Sequence, residues 1–337
     1  MPIDIVVDAM GSDAAPDPEV RGSIAACRDL DVRVHLVGLE SRIAPVLAAA
    51  LEGEHLPIEI VAAAEWISME DKVAQAVRSK RDSSMRVGLK MVREGRAVGF
   101  FTAGNTGAAM ATAKMVLGML AGVDRPALAT ILPTMSGNPS LLLDVGANVD
   151  SDPEHLLQFA LMGDLYARSV LRIPNPRVGL LSIGEEDSKG NAQTRATLPL
   201  LRASSAMNFI GNVEGRELFN GHADVVVCDG FVGNVALKAS EGLAKLVSSS
   251  LKESLSSTVT SQIGALLSQK AFKSFKKRLD YTEYGGAPLL GLRGVCIVGH
   301  GSSNEKAILN GIRVTAEFAR AEVNAGIEAA VAASKPL

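Results

Sequence analysis

Six short segments carry most of the chain's capacity for chemistry: Asp8-Ala9-Met10-Gly11-Ser12-Asp13, Gly104-Asn105-Thr106-Gly107, Asp144-Val145-Gly146-Ala147-Asn148, the run from Gly184 to Asn191 that includes Lys189, Gly211-Asn212-Val213-Glu214-Gly215-Arg216, and Asp229-Gly230-Phe231-Val232-Gly233-Asn234. Each follows a short apolar run and repeats a vocabulary of Asp, Asn and Gly. Loops at the carboxyl ends of parallel strands are where open α/β sheets bind ligands. Helices that begin there present unpaired N–H groups and a positive dipole end, which together favour an anion of phosphate size. Singly, the same residues are ordinary turn formers and N-caps. Six such loops on one edge of a sheet would be a site. Lys189 can set a point charge against phosphate oxygens, or can be a solvated loop lysine. Its loop lacks the Gly-Lys-Ser/Thr of a Walker A segment, so ATP binding is not implied.

Other catalytic sets are missing. There is no G-x-S-x-G elbow, and His35, His55, His155, His222 and His300 show no metal-ligand spacing, so no metal is expected. Cys27, Cys228 and Cys296 lie far apart and read as small core residues in a reducing compartment. An acyl-transfer enzyme of this composition would take its nucleophile from the substrate and need no cofactor. Gly299-His300-Gly301-Ser302-Ser303-Asn304 nearly matches the dinucleotide fingerprint, with Asn304 in the third Gly position, and keeps a nicotinamide-dependent dehydrogenase as a rival. The stretch after it reads as one long helix from 303 to 330, without the second strand and acid that hold a ribose.

These loops need strands and helices to hold them. Apolar runs at Ile3–Val7, Val32–Val37, Ile58–Ala62, Ala97–Phe101, Leu128–Leu132, Leu141–Val145, Val178–Ile183, Phe209–Ile210, Val225–Cys228 and Val295–Val298 alternate with stretches of helical period. Short continuous apolar runs describe strands buried on both faces, so the fold class is α/β, with mostly parallel sheets and flanking helices. Pro18 after Asp17, and Asp152 followed by Pro153, mark helix starts, and a further long helix is expected over 230–252. The Ser- and Lys-rich stretch after Ser248 breaks the alternation and is expected to be a helical excursion over 254–284. Its apolar residues Leu255, Val259, Ile263, Leu266, Leu267, Phe272, Phe275 and Leu279 recur at helical spacing beside Lys270, Lys273, Lys276, Lys277 and Arg278. That mixture suits an interfacial helix on anionic lipid, a dimer interface, or docking of an acidic partner.

At 337 residues the chain favours two domains. The turn after Pro133 is the best break, giving 1–135 and 136–302 as expected domains. A net charge of −3 lacks the broad positive field of a nucleic-acid binder, so no nucleic-acid partner is expected. No signal-peptide pattern opens the chain, and the apolar window Gly99–Val123, broken by Asn105 and Lys114, reads as a buried strand and helix.

The six loops, with Thr102-Ala103 leading into the second, Leu143 before the third, Val235 after the last, and His300-Gly301-Ser302-Ser303 as a seventh motif, resemble the bacterial phosphate acyltransferase (PlsX) family from end to end. Ser12 stands where Gly is commoner, and Val232 where Thr is commoner. The resemblance implies transfer of a long-chain acyl group from acyl carrier protein to inorganic phosphate, without a cofactor. The acyl phosphate would feed a membrane glycerol 3-phosphate acyltransferase. It also implies a fold similar to phosphotransacetylase and the isocitrate dehydrogenase group, with 303–337 returning to join 1–135 in the first domain, and a homodimer. The excursion over 254–284 adds the expectation of a cytoplasmic protein peripheral to the inner face of the membrane. Together with their loop positions, it marks Lys189 and Asn234 as catalytic. Gly104, Asn105, Thr106, Gly107, Gly11, Asn148, Asn191, Asn212, Gly230 and Gly233 are expected to bind phosphate or substrate. Asp8, Asp144 and Asp229 are expected to orient loop amides, since a carboxylate beside a dianion repels it. A non-catalytic acyl- or phosphate-binding protein is the remaining alternative.

Overall fold

The computed structural model describes residues 2–272, 275 and 285–334. The apolar runs become strands β1 (Ile3–Asp8), β2 (Val32–Gly38), β3 (Ile58–Ala62), β4 (Gly99–Thr102), β5 (Ala127–Leu132), β6 (Ser140–Leu143), β7 (Arg177–Leu181), β8 (Asn208–Val213) and β9 (Val225–Val227), followed by β10 (Ala287–Leu290) and β11 (Val295–Val298). They form one sheet in the order β3-β2-β1-β4-β11-β10-β5-β6-β9-β7-β8. Strands β3, β2, β1, β4 and β11 are mutually parallel, and so are β6, β9, β7 and β8. Between these runs, β10 pairs antiparallel with both β11 and β5, and β5 pairs antiparallel with β6.

Between the strands run α1 (Asp17–Asp29), α2 (Glu40–Leu51), α3 (Val73–Ser79), α4 (Ser84–Arg93), α5 (Thr106–Leu117), α6 (Pro153–Ser169), α7 (Ala192–Ala203), α8 (Gly230–Ser256), α9 (Val259–Leu267), α10 (Glu305–Arg320) and α11 (Val323–Ser334). Helices cover both faces, so the central strands are buried: Ile5, Val6, Val7, Phe100, Phe101, Leu141, Leu142 and Leu143 are each 0% exposed. The final helices tie the two runs together, because α10 packs on α1, β4 and β11, while α11 packs on α6.

Two differences from the sequence reading have local causes. Strand β10 lies outside the apolar runs; it is four residues long and carries Pro288, which is disfavoured within a sheet and here pairs opposite Ile297. The long helix expected over 303–330 is two helices, broken where Glu322 takes a positive φ of 49°. Residues 285–302 supply β10 and β11, which lie between β4 and β5. The excursion is helical through α8 and α9 and on to Phe272, but Lys273, Lys276, Lys277, Arg278 and Leu279 lie outside the described residues.

Candidate active site

On the first parallel run the site begins at the end of β1. Asp8 is buried, its Oδ1 accepting the N–H of Met10 at 3.2 Å and its Oδ2 the hydroxyl of Thr102 at 2.8 Å. Thr102 Oγ1 in turn accepts the N–H of Gly104 at 3.0 Å, so one carboxylate orients two loops. Those loops touch at Gly11, where an added Cβ would stand 2.8 Å from Gly104 N; a side chain there would pry them apart. Asn105 caps α5 by accepting the N–H of Ala108 at 3.0 Å, and its amide donates to the carbonyl of Met69 at 3.3 Å. The Asn105 side chain is therefore engaged in shaping the loop, while the exposed Thr106 opens the helix. The third loop of this run is fastened by the Asp13 N–H, which donates to Gly301 O at 2.8 Å.

Glu19 belongs to this set, although nothing in its sequence position distinguishes it from an ordinary acidic residue in a helix's first turn. It is 0% exposed, its Oε1 accepts the Ser12 N–H at 2.8 Å, and Oε2 has no protein partner. Burial, above all, pushes its carboxyl up to about 7 from 4.5, against the hydrogen bonds from Ser12 that pull it down. Between those values the folded protein holds a proton that the unfolded chain has released, so stability falls as pH rises through the window. Glu19→Gln keeps the acceptor for Ser12 and removes the titration. At pH 8 it should be the more stable form by up to roughly 3 kcal/mol, with near parity at pH 4. Urea denaturation of both proteins at the two pH values measures this; an equal gap at both would refute it.

The second run is organised around Asp144, which follows β6. Its Oδ1 accepts the N–H groups of Leu128 (3.0 Å), Gly146 (3.2 Å) and Ala147 (3.0 Å), and its Oδ2 accepts the Asn148 N–H (2.7 Å) and side-chain amide (2.8 Å). Burial pushes this carboxyl's pKa up, while the hydrogen bonds from Ala147, Asn148 and Leu128 oppose the shift. The first turn of α8 lies against the same loop: a Cβ on Gly230 would strike Asn148 O, and one on Gly233 would strike Asp144 O. Asp229 caps α8 through the Phe231 N–H at 2.9 Å and holds the Ser151 N–H at 2.8 Å. Thus Asp144 and Asp229 bind backbone amides, as Asp8 does. Asn234, exposed one turn into α8, sits close to Gly146.

One strand over, Lys189 is exposed at the end of β7, in a loop closed by its own N–H to Glu186 O at 3.0 Å. Asn191 caps α7 by accepting the Thr194 N–H at 2.9 Å. Asn212, on β8, donates to Glu186 O at 3.2 Å, while its buried Oδ1 has no protein partner. Because β7 pairs with both β9 and β8, the loops carrying Lys189, Asn212 and Asn234 leave the sheet side by side.

The sequence placed all six loops on one edge of a sheet, whereas the strand directions divide them into two sets. The antiparallel pairs β11–β10, β10–β5 and β5–β6 reverse the second parallel run relative to the first. The loops after Asp8, Thr102 and Val298 therefore follow strands of one direction and those around Asp144, Lys189, Asn212 and Asn234 follow strands of the other, with the sheet's twist accumulating across the strands between them. Both sets present helix N-termini and backbone amides ordered by buried aspartates. Among the described residues, no group of three or more His, Cys, Asp and Glu could hold a metal ion. Cys228 and Cys296 are buried, the Cys296 thiol pushed up to about 12, which makes neither an available nucleophile.

This architecture is that of the phosphotransacetylases: the solved phosphotransacetylase from Streptococcus pyogenes superposes with a TM-score of 0.64 over 95% of this chain and 94% of that one, at 14% identity. A 4-hydroxythreonine-4-phosphate dehydrogenase from Klebsiella pneumoniae shares the fold more distantly, with a TM-score of 0.51 at 15% identity over 95% of this chain and all of that one. Fold alone therefore does not separate acyl transfer from dehydrogenation. Sequence does: the fatty acid synthesis protein family matches residues 3–326, and the chain belongs to that family, known also as PlsX. It is 66% identical to a phosphate acyltransferase of Acidobacterium capsulatum over 98% of this chain and 97% of that relative. A phosphate acyltransferase of Koribacter versatilis is 61% identical over 99% of this chain and 94% of its own length. The protein is an acyltransferase.

Proposed function

We propose that the chain transfers a long-chain acyl group from acyl carrier protein to inorganic phosphate. A phosphate oxygen attacks the thioester carbonyl, the tetrahedral intermediate collapses, and the thiolate leaves and takes up a proton, giving acyl phosphate and free carrier thiol. The reading rests above all on family membership over nearly the whole chain. The site's chemistry fits it, since phosphate is already nucleophilic towards a thioester and needs placement more than activation. In this scheme Lys189 offsets phosphate charge, and Asn234 donates to phosphate or to the developing oxyanion. Gly104–Gly107, Gly11, Asn148, Asn191, Asn212, Gly230 and Gly233 form loops whose amides bind substrate.

Release of carrier thiol from palmitoyl acyl carrier protein should require phosphate. Release that ignores phosphate would sink the reading, a nicotinamide absorbance change would favour a dehydrogenase, and binding without turnover would leave a carrier of acyl groups or phosphate.

The excursion supports a further part of the reading, a cytoplasmic homodimer that rests peripherally on the inner face of the membrane and passes its product to the membrane glycerol 3-phosphate acyltransferase. Val259, Ile263, Leu266 and Leu267 are 72, 55, 71 and 83% exposed, and Leu243 and Leu246 continue the apolar surface along α8. Among the described residues, no helix is long and apolar enough to cross a membrane, so contact would be interfacial. Salt-sensitive flotation with anionic vesicles, absent in Ile263→Asp plus Leu266→Asp, tests it; no flotation of the intact protein would end it.

A further inference from the structure

A second feature of the surface is electrostatic. Between Lys72 and Arg96 the sequence carries eight Lys or Arg against two acids, in a chain whose net charge is −3. The cations belong to α3, α4 and their flanks. Helix α4 buries Met85, Gly88, Leu89, Met91 and Val92 and turns Arg86, Lys90 and Arg93 away from that core, at i, i+4 and i+7 along one stripe. Like charges at that spacing disfavour the helix that carries them. Lys80 is paired with Asp71, whereas Arg78, Arg81, Arg86, Lys90, Arg93 and Arg96 enter no ion pair among the described residues. Folding alone gives no reason to gather uncompensated charge there.

The stripe is attached directly to the first loop set. Ser84, the first residue of α4, stands beside the Asp8 carboxylate, and the Cε of Met85 would lie 2.6 Å from a Cβ on Gly104. Val73, which opens α3, lies against Gly107 in the same way, at 3.1 Å. A partner seated on this face would thus bring whatever it carries to the Gly104–Gly107 loop.

We infer that the outward face of α3 and α4, centred on Arg78, Arg81, Arg86, Lys90 and Arg93, is the docking surface for an acidic carrier protein that presents the acyl thioester. The inference rests on the proposed acyl transfer for the identity of the cargo. Charge complementarity of this kind steers encounter and fixes register more than it adds contact area. An anionic membrane fits the face less well, because interfacial binding needs apolar side chains inserted beside the cations. Within 72–97 no large hydrophobic residue is prominently exposed, in contrast to α8 and α9.

The test is the full-length double variant Arg86→Glu plus Lys90→Glu, with Arg86→Gln plus Lys90→Gln as a milder partner should the first melt differently from wild type. Palmitoyl acyl carrier protein serves as donor, and binding of the carrier is titrated separately from turnover. Expected are a donor KM and carrier Kd raised at least about tenfold, a kcat within about twofold of wild type, an unchanged phosphate KM, and loss of the wild type's salt dependence. Unchanged donor KM and Kd overturn the docking surface, as does a variant that loses only its flotation with anionic vesicles. A wild type that binds carrier in this charge-dependent way but releases no thiol supports the surface and overturns the proposed reaction; one that binds no carrier overturns both.

Discussion

Lys189→Ala and Asn234→Ala should each lower turnover at least about a hundredfold with the fold intact, the scale of one lost charge-stabilising donor at a reacting centre. Neither side chain contributes to the core: both are exposed, Lys189 in the loop after β7 and Asn234 in the first turns of the helix that follows the adjacent β9. Asn234 sits one turn inside α8, whose first turn is held rigidly against the Asp144 loop by two glycine contacts. A donor placed that way keeps its position without reorganising during the reaction, which is where such stabilisation gains its size. The two roles predict different kinetics. Loss of a phosphate-bound lysine should raise the phosphate KM as well as lower kcat, and Lys189→Arg should recover part of both. Loss of an oxyanion donor should lower kcat with KM nearly unchanged, and Asn234→Asp should not rescue it, because a carboxylate has no donor. Near-normal turnover in either alanine variant would remove that residue from the mechanism.

How these residues come to stand there was only partly legible in the sequence. Buried parallel strands announce themselves, since Ile58–Ala62 and Val295–Val298 are continuous apolar runs and need no pairing information to be seen. Helices α2 and α7 fall in the stretches of helical period expected between the strands, although Pro45 and Pro199 lie inside them. Strand β10, only four residues long and carrying Pro288, lies outside the apolar runs, and that omission mattered most. Without β10, and with β5 read as parallel to its neighbours, ten strands read as one parallel series with no reversal between its two halves. The aspartates were legible because their chemistry is local: Asp8, Asp144 and Asp229 each accept from an amide within four residues. The asparagines were harder. Asn105 is engaged at both ends, as a cap and by the carbonyl of Met69, and Asn148 by Asp144 and the carbonyl of Pro126, whereas Asn191 caps α7 through its side-chain oxygen and leaves its amide N–H groups as donors. Glu19 was invisible because its burial depends on the packing of α1 under the Ser12 loop, a tertiary fact with no counterpart in spacing.

Asp144→Ala should destabilise the protein by at least about 4 kcal/mol, since several buried N–H groups lose their acceptor and each such loss costs about 1–3 kcal/mol. The surroundings offer little relief. Gly230 and Gly233 bring the α8 backbone hard against Asn148 O and Asp144 O, so the helix cannot settle further into the space that the carboxylate vacates. Water is the remaining acceptor, and one molecule cannot replace two oxygens that between them hold five donors. Asp144→Asn separates charge from acceptor count. Its single oxygen can serve the three N–H groups at Oδ1, but the new amide then points donors at the two donors from Asn148. The asparagine variant should therefore lose nearly as much stability as the alanine, although asparagine is nearly the size of aspartate and leaves no void while alanine leaves one. A cavity-dominated cost would instead spare the asparagine variant. Urea denaturation followed by circular dichroism measures both losses, and a change under about 1 kcal/mol for Asp144→Ala would mean that the loop finds other partners and that Asp144 does not organise the site.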